Sequence, residues 1–168
     1  MKCTSPAVYR VFVLSVLLSL LAAAHASGGE YEALNGVNNI KAVFDVRANA
    51  PKTVWIYLDL IHKTFKDRNI KEITDKPEFA VVFIGPAVKL ISTNTEGFTA
   101  EEKEMIGKIA ATVSAMASDG IKLEICMYAA NLMGVDPASI LPEIKQVENG
   151  WISMIGLQAR GYALVPAY

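Results

Sequence analysis

Cysteine and histidine are scarce in this chain of 168 residues, with only Cys3, Cys126, His25 and His62. Zinc and iron centres built on clustered thiolates and imidazoles therefore lack ligands, and no two carboxylates stand at a spacing that completes a set with His62 or Cys126. There is no Cys-x-x-Cys, which excludes a dithiol mechanism that resolves itself within the chain. Gly-x-Gly-x-x-Gly and Walker loops are missing, as is the Gly-x-Ser-x-Gly elbow. Nucleotide chemistry and Ser-His-Asp hydrolysis drop out with them. Basic blocks are missing too: 16 Lys and Arg stand against 17 Asp and Glu, without clustering. Nucleic acid is excluded as a partner on that ground.

Apolar residues are plentiful, at 52%, and many sit at one end. Lys2 and Arg10 precede an uncharged apolar run from Val11 to Ala24, and Ala24-His25-Ala26 supplies the small residues read by a signal peptidase. The run is too short for a membrane span, which needs about 20 residues. The pattern predicts a signal peptide over 1–26, cleaved after Ala26, and a periplasmic or secreted product with no membrane attachment. A polar, flexible lead is predicted over 27–39. The remaining 142 residues carry 14 basic and 17 acidic groups, a net charge of −3, and one cysteine, Cys126. That length suffices for one core without disulfides, and no disulfide can close within the mature chain.

Ile40 to Asp45 is a β-favouring run. From about Lys52 to Arg68, Val54, Tyr57, Leu58, Ile61 and Phe65 recur on one helical face. A charged turn follows, Lys71 to Pro77. Phe79 to Ile84 is unbroken apolar sequence closed by Gly85-Pro86, the signature of a strand covered on both faces. Thr99 and Glu102 have capping-box spacing and start a second helix, with Met105, Ile106, Ile109, Val113 and Met116 as its stripe and Asp119-Gly120 as its stop. Ile121 to Cys126 is β-rich, Met127 to Met133 reads as a short helix, and Asp136-Pro137 opens one more turn. A short strand at Gln146 to Glu148, a helix from Trp151 to Arg160, and a strand from Tyr162 ended by Pro166 complete the pass. This alternation predicts a single α/β domain with a mostly parallel sheet of about five strands and helices on both faces, a flavodoxin-like layering. The segment Trp151 to Leu157 is apolar on more than one face, so either a second subunit or the domain itself must cover it.

In such sheets ligands collect where strands end. Cys126 stands at a strand-to-helix junction, where helix amides favour the nucleophilic thiolate. Arg47 and Lys89, each shortly after a strand end, are candidates for holding an anionic donor. Asp45 is expected to cap a loop, and His62 to lie beside an apolar face as a partly exposed, unreactive side chain.

The element order, the segment Gly120 to Cys126 (GIKLEIC) and the closing segment Gln158 to Pro166 (QARGYALVP) resemble the DsrE/DsrF-like family of sulfur-relay proteins. The resemblance runs from about Ile40 to Tyr168. It implies a compact α/β domain assembled into trimers or hexamers, in which Cys126 accepts sulfane sulfur as a persulfide and passes it on. Such a sulfur carrier or sulfurtransferase works without a cofactor or metal, on a small sulfur compound or a partner thiol protein. The alternative is a noncatalytic homo-oligomeric protein that binds a small ligand or partner while Cys126 only packs. A third reading is a covalent dimer through Cys126.

Overall fold

The computed structural model describes residues 31–168. The segment 1–26, expected to be a signal peptide, and the expected cleavage after Ala26 lie outside the described residues. The chain divides at Gly36. Of the first unit, 31–35 are described and contain one 3-10 turn, Glu32–Leu34, within the lead expected to be flexible.

The second unit, Gly36–Tyr168, is built on five strands: β1 (Lys41–Val46), β2 (Glu78–Phe83), β3 (Lys122–Cys126), β4 (Lys145–Val147) and β5 (Ala163–Ala167). All pair in parallel, in the order β4-β3-β2-β1-β5. The unbroken apolar run is the middle strand, and Phe79 to Phe83 are all at most 2% exposed. Pro166 does not end the last strand but lies inside β5, which is possible because β5 is an edge strand.

The helices are α1 (Pro51–Lys66), α2 (Arg68–Ile73), α3 (Ala100–Ser118), α4 (Met127–Leu132) and α5 (Gly150–Ala159). Where a charged turn was expected after α1, the chain forms α2, because the Asp67 side chain accepts from the Asn69 amide and caps a new turn. The Thr99–Glu102 capping box is present in full. Gly85–Ile91 forms a 3-10 segment with no counterpart in the sequence reading. Its side chains Ala87, Val88, Leu90 and Ile91 are buried.

Strand alternation divides the sheet into unlike faces. Phe44, Val46, Phe79, Val81, Phe83, Leu123 and Ile125 project to one side. There they meet the stripe Val54, Leu58, Ile61 and Phe65 of α1, with Phe79 between Phe44 and Phe65 at ring-centroid distances of 5.2 and 5.4 Å. Helices α1 and α3, the Gly85–Ile91 segment and α4 form this layer. Val43, Asp45, Val82, Glu124 and Cys126 project to the other side, which α5 alone crosses among the described residues.

The lopsided layering follows from handedness. The chain steps β1 to β4 in one direction across the sheet and then returns from one edge to the other to make β5. Parallel crossovers keep one hand, so a reversal of direction puts the return helix on the opposite face.

Candidate functional site

The reversal puts a change of direction at the carboxyl ends of β3 and β4. The chain leaves β3 into α4 on one face and leaves β4 into α5 on the other, which is the topological switch point where open α/β sheets bind ligands. Cys126 is the last residue of β3 and is in register with Val147, the last residue of β4. The Tyr128 amide donates to the Glu148 carbonyl at 3.0 Å and ties the two exits together.

Cys126 is free and 4% exposed. It occupies the N-cap position of α4 but makes no side-chain cap bond, and α4 is six residues long. The helix that meets its side chain is a different one. Gly150, the first residue of α5, lies so close that a Cβ there would stand 2.9 Å from Cys126 Cβ and 3.1 Å from Ile84 Cδ1. Only glycine lets the first turn of α5 seat on the cysteine. Asn149 aims that turn by accepting from the Trp151 amide at 3.0 Å. Sequence reasoning missed Gly150. The signal was legible as the Asn149-Gly150 pair ahead of an apolar run, but its proximity to Cys126 was not.

Arg47 extends β1 toward the same rim. It is not a free cation: Nε donates to both carboxylate oxygens of Asp45 at 2.9 Å, and Nη2 stands 2.8 Å from Oδ2. These bonds to Asp45 raise the guanidinium pKa further above its usual value. Asp45 itself, at 1% exposure, is no loop cap but the buried half of this clamp. Tyr168 donates its hydroxyl to Asp45 at 3.3 Å and stacks under Arg47, and Tyr57 donates to the Tyr168 carbonyl at 2.6 Å. Strand β2 intervenes between Arg47 and Cys126, so two strand spacings, about 10 Å, separate their chains.

Lys89 is not brought to Cys126. It is exposed on the Gly85–Ile91 segment and lines a cavity of about 220 Å³ with Asn94, Glu96, Met133, Gly134 and Asp136, at the far end of α4. His62 binds Asp119 at 2.7 Å, linking α1 to the residue that ends α3. Hydrogen bonds from Lys66 and then His62 hold the Asp119 carboxyl below the usual range. At the amino-terminal edge, away from Cys126, Glu78 joins β1, β2 and β3 through Lys41 at 2.7 Å, Tyr162 at 2.7 Å and Lys122 at 3.2 Å. Those three bonds, Lys41 first, pull its carboxyl down to about 2. Among the described residues no three His, Cys, Asp or Glu side chains gather as a metal site would require, and no helix is long and apolar enough to cross a membrane.

The fold is shared with a solved structure of low sequence identity. An uncharacterized protein of Aquifex aeolicus strain VF5 is 28% identical over 130 residues, which are 76% of this chain and 56% of that protein, so the chain spans little more than half the relative's length. Among solved structures, protein MTH1491 of Methanobacterium thermoautotrophicum superposes with a TM-score of 0.58 at 16% identity, over 76% of this chain and 99% of that one. The ychN protein of E. coli gives 0.49 at 9% identity, over 76% and 98%. The model of the DsrE/DsrF-like family matches residues 29–166. With that match over most of its length and a five-stranded parallel sheet shared with a solved relative, the chain belongs to the DsrE/DsrF-like family, which is related to sulfur-relay proteins.

Proposed function

We propose that this is an exported protein that accepts sulfane sulfur on Cys126 and passes it on as a persulfide. The observation that carries the reading is the position of Cys126 at the switch point, against the first turn of a ten-residue helix whose amino-terminal amides present partial positive charge. The balanced reaction is Cys-SH + R-S-S⁻ → Cys-S-S⁻ + R-SH: a new S–S bond forms on Cys126, the donor's S–S bond breaks, and the thiol proton ends on the released sulfur. No cofactor or metal enters it. Passage to an acceptor thiol is the same exchange in reverse.

Arg47 is the proposed anion-side cation. Asp45 occupies Nε and Nη2 and leaves the donors of Nη1 for a persulfide or thiosulfate at the rim. Lys89 acts at longer range, steering an anion toward the carboxyl edge. The exposed side chains Trp151, Ile152 and Ile155 of α5, with Leu164 and Val165 of β5, support assembly into a trimer or hexamer that covers them.

The test is intact mass. The mature protein, beginning at Ser27 if cleavage follows Ala26, is incubated with polysulfide and weighed before and after reductant. One sulfur atom is expected to add, to leave on reduction, and to be absent from Cys126→Ser. A second reading, a binding protein in which Cys126 only packs, is favoured by the 4% exposure of that residue. It prevails if the folded protein neither gains sulfur nor reacts with iodoacetamide.

A further inference from the structure

Helix α5 is built unlike α1 and α3. Its sequence, GWISMIGLQA, holds two glycines and two β-branched isoleucines in ten residues, types that weaken a helix. Asn149 caps its start, but its first turn has no acidic residue and its last turn no basic one, so no charge offsets the dipole at its ends. Ion pairs four residues apart brace α1 (Lys63–Asp59) and α3 (Lys108–Glu104), and α5 has no charged side chain with which to make one. A helix under about 12 residues is marginal in water on its own, so α5 depends on its packing. That packing is thin: its buried side chains are Met154 and Leu157, against Val54, Leu58, Ile61 and Phe65 in α1. Its two glycines differ in kind. At Gly150 a Cβ would strike Cys126, whereas at Gly156 it would meet nothing within 4 Å. Packing gives no reason for a glycine at 156, and the helix is weaker for it.

We propose that α5 is a lid over Cys126: it lifts as a unit while the sheet and the opposite layer stay folded, and the thiol reacts from the lifted state. Cys126 projects to the face that α5 alone crosses among the described residues, and its 4% exposure follows from the first turn of that helix lying against it. Both ends of the lid are fixed from outside it. The Glu148 carbonyl, just before the cap, is held by the Tyr128 amide. Tyr162, just after Gly161, is 3% exposed and held by Lys122 and Glu78. A weak, thinly buried segment between fixed ends is the kind that opens at a free energy below that of global unfolding. Such a lid shields the thiol between encounters. As control of the thiol that the persulfide reading uses, the inference rests on that reading for its purpose, but the opening is measurable without sulfur.

The experiment measures the rate of Cys126 alkylation by iodoacetamide across sub-denaturing urea for wild type, Gly156→Ala and Gly107→Ala, with equilibrium urea melts of each. Gly107 is the control: it is exposed on α3, and a Cβ there also meets nothing within 4 Å. Wild type is expected to alkylate far more slowly than the urea-unfolded chain, with a rate that rises less steeply with urea than global unfolding does, since lifting one helix exposes less surface. Gly156→Ala is expected to slow alkylation about fourfold, the factor carried by the glycine–alanine difference in helix propensity. Gly107→Ala is expected to raise the urea midpoint and leave the alkylation rate unchanged. A wild-type rate equal to that of the unfolded chain shows a thiol with no lid and overturns the inference. Equal slowing by both variants, with the urea slope of global unfolding, means that the whole domain must open and overturns it as well. An unchanged rate in Gly156→Ala does the same. Sulfur loading from polysulfide is followed in the same proteins: lid-controlled alkylation without sulfur uptake overturns the persulfide reading and leaves the lid standing.

Discussion

At the scale of single residues, the polar groups on the α5 side of the sheet divide the work. Asp45 and Arg47 close one end with a bidentate pair, the geometry that best neutralises a buried carboxylate. Glu78 closes the other end by joining three strands. Because its folded carboxyl lies at about 2, below the usual value of roughly 4.3, its contribution is present above the unfolded value and is lost as pH falls through the folded one. The side chain is 36% exposed, so the contribution is limited to about 1 kcal/mol by solvent screening. Wild type is therefore expected to lose stability between about pH 4.5 and 2, and Glu78→Gln to lose less over that interval. Parallel urea melts at several pH values check this, and identical pH dependence in the two proteins would remove Glu78 from the account. The Glu78 network was not legible beforehand, since Lys41, Glu78, Lys122 and Tyr162 are separated by most of the chain and meet only through strand register.

At the scale of elements, α5 is the piece on which the candidate site depends. Its stripe has only Met154 and Leu157 deeply buried, and its first residue is pressed against Cys126 and Ile84. Gly150→Ala places a methyl 2.9 Å from Cys126 Cβ, which no rotamer change relieves because both atoms are fixed by backbone. The helix must lift, at about 1–3 kcal/mol by analogy with overpacked cores. A lower melting temperature together with faster alkylation of Cys126 is the expected outcome. Unchanged alkylation would separate α5 from control of the thiol. Most elements were legible because their signals are local: the periodicity of α1, the capping box of α3, the apolar run of β2. Helix α2 was not, since its cap is a single Asp67 bond inside a charged segment that reads as a turn. The second helix at the thiol was not legible for the opposite reason. Sequence adjacency shows α4, whose N-cap is Cys126, and the crossover adds α5.

At the scale of the whole molecule, the described residues pack one sheet face fully and cover the other thinly. Trp151, Ile152 and Ile155 are 58, 68 and 66% exposed, beside the apolar edge strand β5. A surface of this kind on an isolated chain is an interaction site or an aggregation hazard. Light scattering of the wild type is expected to give a trimer or hexamer. Ile155→Glu, which leaves the buried stripe of α5 untouched, is expected to shift the mass toward smaller species without lowering secondary structure. A monomeric wild type would remove the proposed assembly.

What the sequence determined by itself is the alternation of strands and helices, the α/β class, the family, and a cysteine, Cys126, at a strand end. Each rests on short-range patterning or on residue identity, which survive without knowledge of contacts. The tertiary structure alone decided that β5 lies beside β1, that among the described residues α5 stands by itself on one face, that Gly150 seats on Cys126, and that Arg47 is bound to Asp45. These depend on strand order and register, set when one-handed crossovers and the two faces of the sheet are satisfied together, and no window of neighbouring residues contains that information.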